Sequence, residues 1–462
     1  MEIAIVAAFC KKFGLGSNNS IPWDIKEDMK HFADLTKGHI IIMGRKTYET
    51  IPVTKRPLKD RFNIVLTSEP FKYGSDNNLV FTNFNNVSKL LTSLEHKYSK
   101  AFIIGGSQIY ADFLPKATHL YITKIDKLYA CDSFFPEFTD FKLVEYSDTK
   151  YSVTEECNYR FLKYESTQKT HQEYVYIDLL KDILKKGITR TDRTGTGTIG
   201  VFGRQIRFDV SETIPLLTTK FVSWKAIVEE LLWFLRGDTD SKILENKNIN
   251  IWKPNTTREF LDGRGLTYQE GDIGPMYGFN LRHCGAEYEG CGTNYENQGI
   301  DQLQNVINQL KTDPFSRRIM MTTYDPKVLD KGVLHPCHGI SIQLYVSESE
   351  NVKYLSGSMY QRSADTFLGF SNNITSYSVL LYILAKLTDM IPKELIISIG
   401  DTHIYNNHID QVKTQMKRKP FPFPKLVVKD IIKNKKIEEW TIDDFDLIGY
   451  LYHPLIHASM SV

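Results

Sequence analysis

Short apolar runs alternate with amphipathic segments along the first 165 residues. The segments predicted from this pattern are strands at 3–9, 39–43, 62–67, 101–104 and 119–125, and helices at 24–37, 86–97 and 107–114. Parallel strands need a crossover connection between them, and a helix usually supplies it. The alternation therefore predicts an α/β domain with a mostly parallel sheet.

The pattern changes in the second part of the chain. The helices predicted there are 174–186, 224–236, 301–311, 374–388 and 405–418. They are separated by long runs typical of antiparallel strands, such as 340–347 and 352–360, so we expect an α+β domain. We place the N-terminal domain at 1–165, a short polar linker at 166–172 and the C-terminal domain at 173–462. Such a linker is too short for the domains to tumble independently.

Composition excludes several classes of protein. The 462 residues are 42% hydrophobic, and their apolar runs fall short of the roughly 18 residues that a membrane helix needs. A net charge of +2 provides no general field for nucleic acid. The six cysteines form no disulfide or zinc-binding pattern, and Lys11 and Lys12 follow the apolar run 2–10, whereas a secretory signal begins with its basic residues. We therefore expect a cytoplasmic protein without a metal site.

Asp28 is the first candidate for chemistry. Asp24 and Glu27 have the spacing of a capping box at the start of the predicted helix 24–37. The apolar face of that helix is formed by Ile25, Met29, Phe32 and Leu35. Asp28 lies on this face, where loss of water would raise the pKa of its carboxyl group. Such carboxyl groups cluster at functional sites, but an internal structural hydrogen bond explains the position equally well.

Two predicted strand-to-helix turns of the N-terminal domain contain glycine. Gly44-Arg45-Lys46-Thr47 follows the strand 39–43, and Gly105-Gly106-Ser107 follows the strand 101–104. Free N–H groups at a helix start favour phosphate, and glycine allows a close approach to the backbone. Together the two turns suggest a dinucleotide at the carboxyl edge of a parallel sheet. Taken singly, each glycine is explained equally well by a tight turn.

Five segments of the N-terminal domain, in order, are IPW with Asp28 behind it, IMGRKTYE, RPLKDRFNIVLTS, FIIGGSQIY and LYIT. In this order and spacing they resemble dihydrofolate reductase. The resemblance implies that NADPH supplies a hydride, while Asp28 holds the pterin ring and helps to deliver a proton to N5. The implied dihydrofolate site is Val6, Ala8, Trp23, Asp28, Phe32, Arg61, Ile104 and Thr123. The implied NADPH site is Gly16, Ile21, Gly44, Arg45, Lys46, Thr47, Thr67, Ser68, Gly105, Gly106 and Tyr110, with 16–21 as a mobile flap.

The segment 195–200 satisfies the glycine pattern GxGxxG, but its context is wrong for a dinucleotide site. Polar residues precede it, and the strand-like run 201–208 follows where that site requires a helix. A flexible glycine loop flanked by Arg190 and Arg193 could instead wrap a phosphate. A plain β-turn is the simpler interpretation.

Cys337 is the candidate nucleophile of the C-terminal domain. It lies between His335-Pro336 and His338, just before a predicted strand. A free cysteine is usually buried and inert, so catalysis needs a group that stabilises the thiolate. Arg317-Arg318 and the segment 361–365 contain cationic candidates for that role. Solvated surface arginines are the alternative.

Eight segments of the C-terminal domain, in order, are DRTGTGT, EELLWFLRGDT, GPMYG, DPFSRRI, PCH, YQRSADTFLGF, GDTHIY and a final MSV. They resemble thymidylate synthase. The resemblance implies that Cys337 adds to carbon 6 of dUMP, with Glu230, Tyr277 and His338 as further catalytic residues. The implied dUMP site is Arg193, Arg317, Arg318, Cys337, Gln361, Arg362, Ser363, Asp365, Asn373, His403 and Tyr405. The implied site for 5,10-methylenetetrahydrofolate, the co-substrate, is Trp252, Asp365 and Val462.

Some positions depart from the synthase pattern. Ser371-Asn372 replaces the usual Pro-Phe, His335 replaces a Pro and Leu281 replaces a Trp, all of which bear on the shape of the folate pocket. In the C-terminal tail His457 stands where a Lys is common, while Val462 keeps the position of a carboxylate that closes over the ligands.

The two resemblances belong together chemically, because the synthase releases dihydrofolate and the reductase restores tetrahydrofolate. The whole chain resembles the fused reductase-synthase of plants and protists. This implies a homodimer through the synthase domain, with Arg317 and Arg318 donated across the interface, and no need for nucleic acid or membrane. One domain kept only as a regulatory or RNA-binding module is the main rival, and near-neutral charge argues against it. A generic NADP-dependent oxidoreductase leaves Cys337 and its arginines unexplained.

Overall fold

A computed structural model of the chain describes residues 1–167, 171–192 and 195–460. The chain divides into two compact units, Met1–Thr170 and His171–Val462. Within the described ranges, no helix is both long and apolar enough to cross a membrane.

The first unit is built around a large sheet, and β2 and β8 form a separate two-stranded sheet. The strands of the unit are β1 (Glu2–Phe9), β2 (Gly14–Gly16), β3 (Ile40–Gly44), β4 (Phe62–Leu66), β5 (Leu79–Thr82), β6 (Lys100–Ile103), β7 (His119–Ile125), β8 (Ser133–Phe134), β9 (Phe141–Tyr146), β10 (Lys150–Ser152) and β11 (Cys157–Ser166). Its α-helices are α1 (Lys26–Thr36), α2 (Arg45–Thr50), α3 (Phe84–Leu94) and α4 (Ser107–Phe113).

The sheet of this unit is mostly parallel, as the alternation of strands and helices predicts. Its order is β10-β11-β7-β1-β6-β3-β4-β5, and neighbours from β7 to β5 are parallel. The hairpin strands β9, β10 and β11 pair antiparallel at one edge. Strands β1 and β3 are apolar almost throughout because helices and loops cover both faces of the central strands. The carboxyl ends of β1, β3 and β6 therefore meet at one edge of the sheet.

The start of α1 differs from the expected capping box. The helix begins at Lys26 with Ile25 as its N-cap residue, and no side chain caps it. Asp24 lies outside the helix, where its N–H donates to Glu155 at 2.7 Å. The prediction of Met29 as a buried residue is also wrong, since its side chain is exposed. The hydrogen bond to Glu155, which is distant in sequence, fixes the entry to the helix in place of a local cap.

The second unit combines long antiparallel strands with buried helices. Its α-helices are α5 (Glu173–Lys186), α6 (Trp224–Arg236), α7 (Lys242–Glu245), α8 (Arg258–Gly263), α9 (Gly278–His283), α10 (Gln302–Thr312), α11 (Gly369–Leu387) and α12 (Ile409–Met416). Its strands are β12 (Ile188–Arg190), β13 (Thr198–Asp209), β14 (Met320–Met321), β15 (Ser341–Ser349), β16 (Val352–Asp365), β17 (Ile391–Tyr405), β18 (Lys425–Val428) and β19 (Phe445–Ile448).

The main sheet of this unit has the order β12-β13-β17-β16-β15-β14. Most pairs are antiparallel, but β16 and β17 are parallel because α11 connects them as a crossover. Helices α6 and α11 are buried along most of their length and pack in one large apolar core with the inner face of the sheet. The α+β class expected for this part of the chain is confirmed.

Two predictions for the second unit have different outcomes in the structure. The predicted helix 405–418 is wrong at its start, because β17 continues to Tyr405 and α12 begins only at Ile409. The rejection of a dinucleotide motif at 195–200 is confirmed, since β13 starts at Thr198 where a helix would be needed. The N–H of Gly197 donates to Asp192 at 2.7 Å, so the glycine loop is a turn that closes on its own chain.

Candidate active sites

In the first unit, Asp28 on α1 faces Thr123 on β7. The Thr123 hydroxyl donates to Asp28 Oδ1 at 2.6 Å. Burial raises the pKa of the Asp28 carboxyl above its ordinary value, and the hydrogen bond from Thr123 offsets part of this effect because it favours the ionised form. Asp28 is therefore a carboxyl group that holds its proton more tightly than one in water.

Trp23 and Ala8 belong to one apolar cluster of the first unit. Ala8 is the register partner of Thr123 in the parallel pair β1 and β7. The Trp23 side chain is buried, and its indole Nε1 has no hydrogen-bond partner within the described part of the chain. A buried N–H without a partner is costly, so this group suits a polar ligand or a bound water.

Arg61 is fixed against the end of α1. Its guanidinium donates to the Thr36 hydroxyl at 2.8 Å and to the Ala33 carbonyl at 3.1 Å, and it lies 5.8 Å from the ring centroid of Phe32. Partial burial lowers the pKa of Arg61, although a guanidinium stays charged at any physiological pH. The structure therefore brings a preorganised cation together with the aromatic ring of Phe32.

The two glycine turns meet where β3 and β6 end. The Gly44 N–H donates to the Gly105 carbonyl at 2.8 Å. Gly105 has φ +111°, and a side chain there would lie 3.2 Å from the ring of Tyr110. The Tyr110 hydroxyl in turn donates to the Val6 carbonyl at 3.0 Å. Glycine at position 105 is therefore required both by its positive φ and by the close approach of the Tyr110 ring.

Other members of the implied cofactor set surround this edge in different ways. A side chain added at Gly106 would lie 3.4 Å from the Thr47 hydroxyl. Arg45 is engaged by Glu49, with N–O distances of 2.7 and 2.8 Å to its two carboxylate oxygens. Ile104 donates its N–H to the Ile42 carbonyl at 2.9 Å, which leaves its own carbonyl at the strand end.

The remaining members are peripheral. Lys46 and Ser68 are exposed, and the Thr67 N–H is bonded to the Thr82 carbonyl at 2.9 Å. Gly16 belongs to β2, which pairs with β8, and Ile21 is exposed. The recorded contacts of the described residues do not join Gly16 and Ile21 to the glycine edge.

In the second unit, Cys337 lies between β14 and β15 and contacts Tyr277. The Tyr277 hydroxyl is 3.5 Å from Cys337 Sγ and accepts the Cys337 N–H at 3.0 Å. The Cys337 carbonyl accepts the N–H of Arg362 at 2.8 Å, which fixes the arginine-bearing strand β16 beside the thiol. Burial raises the pKa of the Cys337 thiol, while Tyr277 and the charge of Arg362 oppose that effect without cancelling it. Arg362 therefore acts in the expected direction, but loss of water outweighs it.

Glu230, on α6, lies close to the Cys337 thiol. Its carboxyl accepts the Trp252 indole N–H at 2.9 Å. Burial raises the pKa of Glu230 to about 7, with the Trp252 hydrogen bond acting in the opposite direction. A carboxyl group with such a pKa exchanges a proton near neutral pH, as general acid–base catalysis requires.

His338 completes an aromatic wall next to Cys337. Its ring stacks on Tyr277 at a centroid distance of 4.5 Å, and its Nδ1 lies 2.8 Å from the Tyr377 hydroxyl. Burial lowers the pKa of His338 to about 4, so the imidazole is neutral at pH 7. Tyr377 is a site residue that the sequence reading did not identify. It lies in the apolar helix α11 with 38 residues between it and His338, and no local motif marks such a contact.

The strand β16 and the end of β17 supply the other implied nucleotide residues. The Ser363 N–H approaches the Cys337 carbonyl at 3.5 Å, and Gln361 donates to the Ser363 carbonyl at 3.1 Å. His403 Nδ1 lies 2.9 Å from Asp401, and its ring packs edge-on against Tyr405. Ser363 thus lies next to the Cys337 backbone, and His403 lies at the end of the neighbouring strand β17 as the register partner of Asp365.

Two more members of the implied set lie where α11 begins. Asp365 Oδ1 accepts the N–H groups of Phe367 and Leu368 at 3.1 and 3.2 Å. Asn373 is partly buried in the first turns of α11. Asp365 therefore has a structural task at the helix start as well as its implied one.

Several predicted residues are not brought together with Cys337. Arg317 and Arg318 are exposed before β14, and the recorded contacts of the described residues do not connect them to the thiol. Arg190 forms an ion pair with Asp401 at 3.1 Å. Arg193 and Val462 lie outside the described residues.

Comparison with known proteins agrees with this geometry. The family model for dihydrofolate reductase matches residues 2–166, and the model for thymidylate synthase matches residues 174–462. Proteins named bifunctional dihydrofolate reductase-thymidylate synthase match almost the whole chain. The one from Zea mays is 38% identical, over 99% of this chain and 96% of that protein.

The chain belongs to the bifunctional dihydrofolate reductase-thymidylate synthase family. Relatives with the same name from Leishmania major and Paramecium tetraurelia are 38% and 39% identical, each over 99% of this chain. They cover 95% and 98% of those proteins, so the similarity includes both domains. The first unit is thus a reductase domain and the second a synthase domain.

Four residues of the second unit, besides His457, depart from the synthase pattern. Ser371 is buried, and its hydroxyl donates to the Leu368 carbonyl at 3.0 Å, so it stabilises the first turn of α11. Asn372 is partly buried next to it. Leu281 is part of the buried core, whereas His335 is exposed and lies 3.5 Å from Asp330. Ser371 and Leu281 are thus accommodated by the folded synthase domain.

Proposed function

We propose that this chain converts dUMP and 5,10-methylenetetrahydrofolate to dTMP and dihydrofolate, and then reduces dihydrofolate to tetrahydrofolate with NADPH. The observation that carries the proposal is that each domain surrounds its implied reactive group with a built site. Asp28 is hydrogen-bonded and shifted toward its protonated form in the reductase domain. Cys337 lies against Tyr277 and Arg362 in the synthase domain. Six cysteines without a disulfide pattern favour the cytoplasm as the compartment.

In the reductase domain, Asp28 binds the pterin ring and passes a proton toward N5. When bound at the glycine edge of β3 and β6, NADPH supplies the hydride. The raised pKa of Asp28 keeps a proton available, and the indole N–H of Trp23, which lacks a hydrogen-bond partner among the described residues, holds the water or pterin group. Arg61, which is held against the end of α1 by two hydrogen bonds, pairs with the glutamate carboxylate of the substrate.

In the synthase domain, the Cys337 thiolate adds to carbon 6 of dUMP, so a sulfur–carbon bond forms and the ring double bond moves its electrons toward carbon 5. Carbon 5 then attacks the methylene carbon of the folate and loses its proton to water or a base. The bond between the methylene carbon and the folate nitrogen breaks, the resulting tetrahydrofolate gives a hydride to the methylene carbon and becomes dihydrofolate, and the thiolate is expelled from carbon 6. Glu230 exchanges protons with the pyrimidine through ordered water, consistent with its pKa of about 7. Trp252, Asp365 and Val462 bind the folate.

The phosphate of dUMP needs more cationic groups than Arg362 alone. Bidentate guanidinium contacts suit a dianionic phosphate, and Arg317 and Arg318 are exposed at a distance from the site of their own chain. We therefore propose that both arginines reach the site of a second copy in a closed, isologous dimer.

The outer face of the synthase sheet supports such a dimer. Large apolar side chains are exposed along this sheet, among them Phe202 on β13, Met320 on β14, Tyr345 on β15 and Tyr360 on β16. On β15, exposed Tyr345 alternates with buried Leu344 and Val346, so it points away from the core. An apolar face of this kind in a folded protein is typical of an interface.

One assay tests both activities together. The purified chain is incubated with dUMP, methylenetetrahydrofolate and NADPH, and dTMP, dihydrofolate and NADPH are followed in time. We expect dTMP to form and NADPH to be oxidised in equal amounts, with little dihydrofolate accumulating. Formation of dTMP without NADPH oxidation would contradict the reductase assignment, and NADPH oxidation only on added dihydrofolate would contradict the synthase assignment.

Subunit mixing tests the shared site. One chain carries Cys337→Ser and the other carries Arg317→Ala with Arg318→Ala, and each is expected to be nearly inactive as a synthase. After subunit exchange, one site of the mixed dimer combines an intact Cys337 with intact arginines, so dTMP formation returns. Reductase activity stays constant as an internal control. Mixed dimers that regain no synthase activity would show that the arginines act within their own chain.

A further inference from the structure

The C-terminal segment 449–460 runs along α12 and is held there by side chains. Arg418 donates to the Pro454 carbonyl at 2.8 Å, and Gln411 donates to the His457 carbonyl at 3.4 Å. His408, immediately before α12, bonds the Ser459 carbonyl at 2.7 Å. Positions 418, 411 and 408 thus meet carbonyls 454, 457 and 459 in antiparallel order. Side chains of α12 and of its flanking residues therefore bind successive carbonyls of the segment, and we call this set of contacts the clasp.

His408 is the most enclosed member of this clasp. Its side chain is fully buried, at 0% exposure. A carbonyl oxygen only accepts hydrogen bonds, so Nε2 carries the proton that it donates to Ser459. Its ring packs near Phe367 and Tyr405, with centroids 5.5 and 5.8 Å away. The rotation of the imidazole is therefore restricted by packing on both sides.

The other ring nitrogen of His408 faces Asp365, one of the proposed folate contacts. Nδ1 lies 3.9 Å from Asp365 Oδ1, and it has no hydrogen-bond partner within the described residues. Asp365 Oδ1 also accepts the N–H groups of Phe367 and Leu368 where α11 starts. One buried imidazole therefore touches the C-terminal segment with one nitrogen and lies next to Asp365 with the other.

The clasp is stronger at its inner end than at its outer end. The His453 N–H donates to the Thr218 carbonyl at 2.8 Å, its ring bonds the Lys419 carbonyl at 2.8 Å, and Arg418 holds Pro454. Beyond Leu455, which is exposed, the hydrogen bonds from described residues to this segment come from Gln411 and His408, and Ile456 and Ala458 pack partly buried against the core. The outer end is therefore held by fewer hydrogen bonds than the inner end.

We infer that His408 is a positioning residue that holds the outer C-terminal segment against the synthase site and ties its position to Asp365. The inference rests on the proposed synthase function, because Asp365 and the last residues of the chain are the proposed folate contacts. Because His408 contacts both, a bound position of the segment stabilises the position of Asp365, and the position of Asp365 stabilises the bound segment. Loss of the Nε2 donor releases the segment and weakens folate binding more than dUMP binding, because the other implied dUMP residues keep their positions.

Three variants of the full chain separate this role from general packing. His408→Phe keeps an aromatic ring between Phe367 and Tyr405 but removes the donor. His408→Gln keeps an N–H donor at a similar distance from the backbone. Lys413→Ala is the matched control on α12, since Lys413 is exposed and pairs only with exposed Asp410 among the described residues.

Two readouts follow the segment and the folate. Digestion with a carboxypeptidase, followed by mass spectrometry, measures how fast residues beyond Ser459 and then Ser459 itself are removed. Steady-state kinetics give the KM for methylenetetrahydrofolate and the KM for dUMP, and reductase activity of the same sample reports on folding. For His408→Phe we expect digestion past Ser459 and the folate KM to rise by about threefold to tenfold, the range of one hydrogen bond. His408→Gln restores most of both values, and Lys413→Ala changes neither.

Two outcomes would overturn the inference. Unchanged digestion and folate KM in His408→Phe would mean that the hydrogen bond does not hold the segment. An equal rise in the KM for dUMP, with no recovery in His408→Gln, would assign His408 to the core alone. Failure of the proposed function is distinguishable, because the wild-type chain would then form no dTMP while the digestion rates still report on the segment.

Discussion

Each domain contains an acid whose pKa is raised by burial and lowered in part by a single hydrogen bond. In the reductase domain this acid is Asp28, with the Thr123 hydroxyl at 2.6 Å. In the synthase domain it is Glu230, with the Trp252 indole at 2.9 Å. The same two physical effects therefore prepare a proton donor in two unrelated folds.

The neighbours of the two acids differ. The charge of Asp28 acts on Tyr110, whose phenol stays protonated because burial raises its pKa. The charge of Glu230 acts on Cys337 and raises the pKa of the thiol. Since the synthase needs a thiolate, an ionised Glu230 opposes the step that a protonated Glu230 permits. The reductase site thus manages one proton, whereas the synthase site couples two ionisations.

The largest expected effect comes from removing the second ionisation. Cys337→Ser leaves Glu230 and the phosphate-binding groups in place but replaces the thiol with a hydroxyl, which is a poor nucleophile. We expect loss of measurable dTMP formation, retained dUMP binding and unchanged dihydrofolate reduction, measured on one preparation. A nucleotide adduct mapped to another residue would refute the assignment.

The corresponding change in the reductase domain is Asp28→Asn. The amide accepts and donates hydrogen bonds but does not deliver a proton, so dihydrofolate reduction at neutral pH falls by about 10²–10⁴. Formation of dTMP stays at the wild-type rate because Glu230 and Cys337 belong to the other domain. Stopped assays of both products test this, and an unaltered reductase rate would contradict the role of Asp28.

Asp28 and Glu230 are predicted from the sequence by different arguments, and each argument is only partly correct. Asp28 was placed by helical spacing, but Met29 on the same proposed face is exposed and the helix starts two residues later than expected. Burial raises the pKa of Asp28, and the opposing hydrogen bond comes from Thr123, 95 positions away on β7, a contact that no local pattern encodes. Glu230 was reached through family resemblance, since its spacing on α6 does not distinguish it from Glu229, which pairs with Lys247.

Long-range contacts also explain what the sequence missed. Tyr377 and His408 look like ordinary members of helical segments, and their contacts with His338 and Ser459 arise only when distant elements pack. The mostly parallel sheet was easier to predict, because apolar runs such as β1 and β3 must be buried on both faces wherever they lie. Periodicity fixes which face of an element is covered, but the partner on that face is a property of the whole fold.

A smaller effect tests the proton on Glu230 through stability. The pKa of Glu230 is about 7 in the folded domain against an ordinary 4.5, so the folded state binds this proton more tightly than the unfolded state. The stability gained is complete below pH 4.5 and is lost as the pH rises through about 7. We expect Glu230→Gln to remove this part of the decline in urea unfolding measured from about pH 5 to about pH 8. Identical slopes in the two proteins would mean that Glu230 titrates normally.

The smallest expected effects come from the single donors, and they compare the two domains directly. Thr123→Val removes the hydroxyl that favours ionised Asp28, and Trp252→Phe removes the indole N–H that favours ionised Glu230. Because both hydrogen bonds oppose burial, both changes raise the pKa of the acid, by about one to two pH units for a bond to a charged group. The pH profile of dihydrofolate reduction shifts to higher pH only in Thr123→Val, and the pH profile of dTMP formation shifts to higher pH only in Trp252→Phe. The valine is nearly isosteric, whereas the phenylalanine also leaves space in the core, so the shift along the pH axis is compared and not the maximal rate. A downward shift in either profile would show that the donor stabilises the protonated acid, and the parallel between the two sites would then fail.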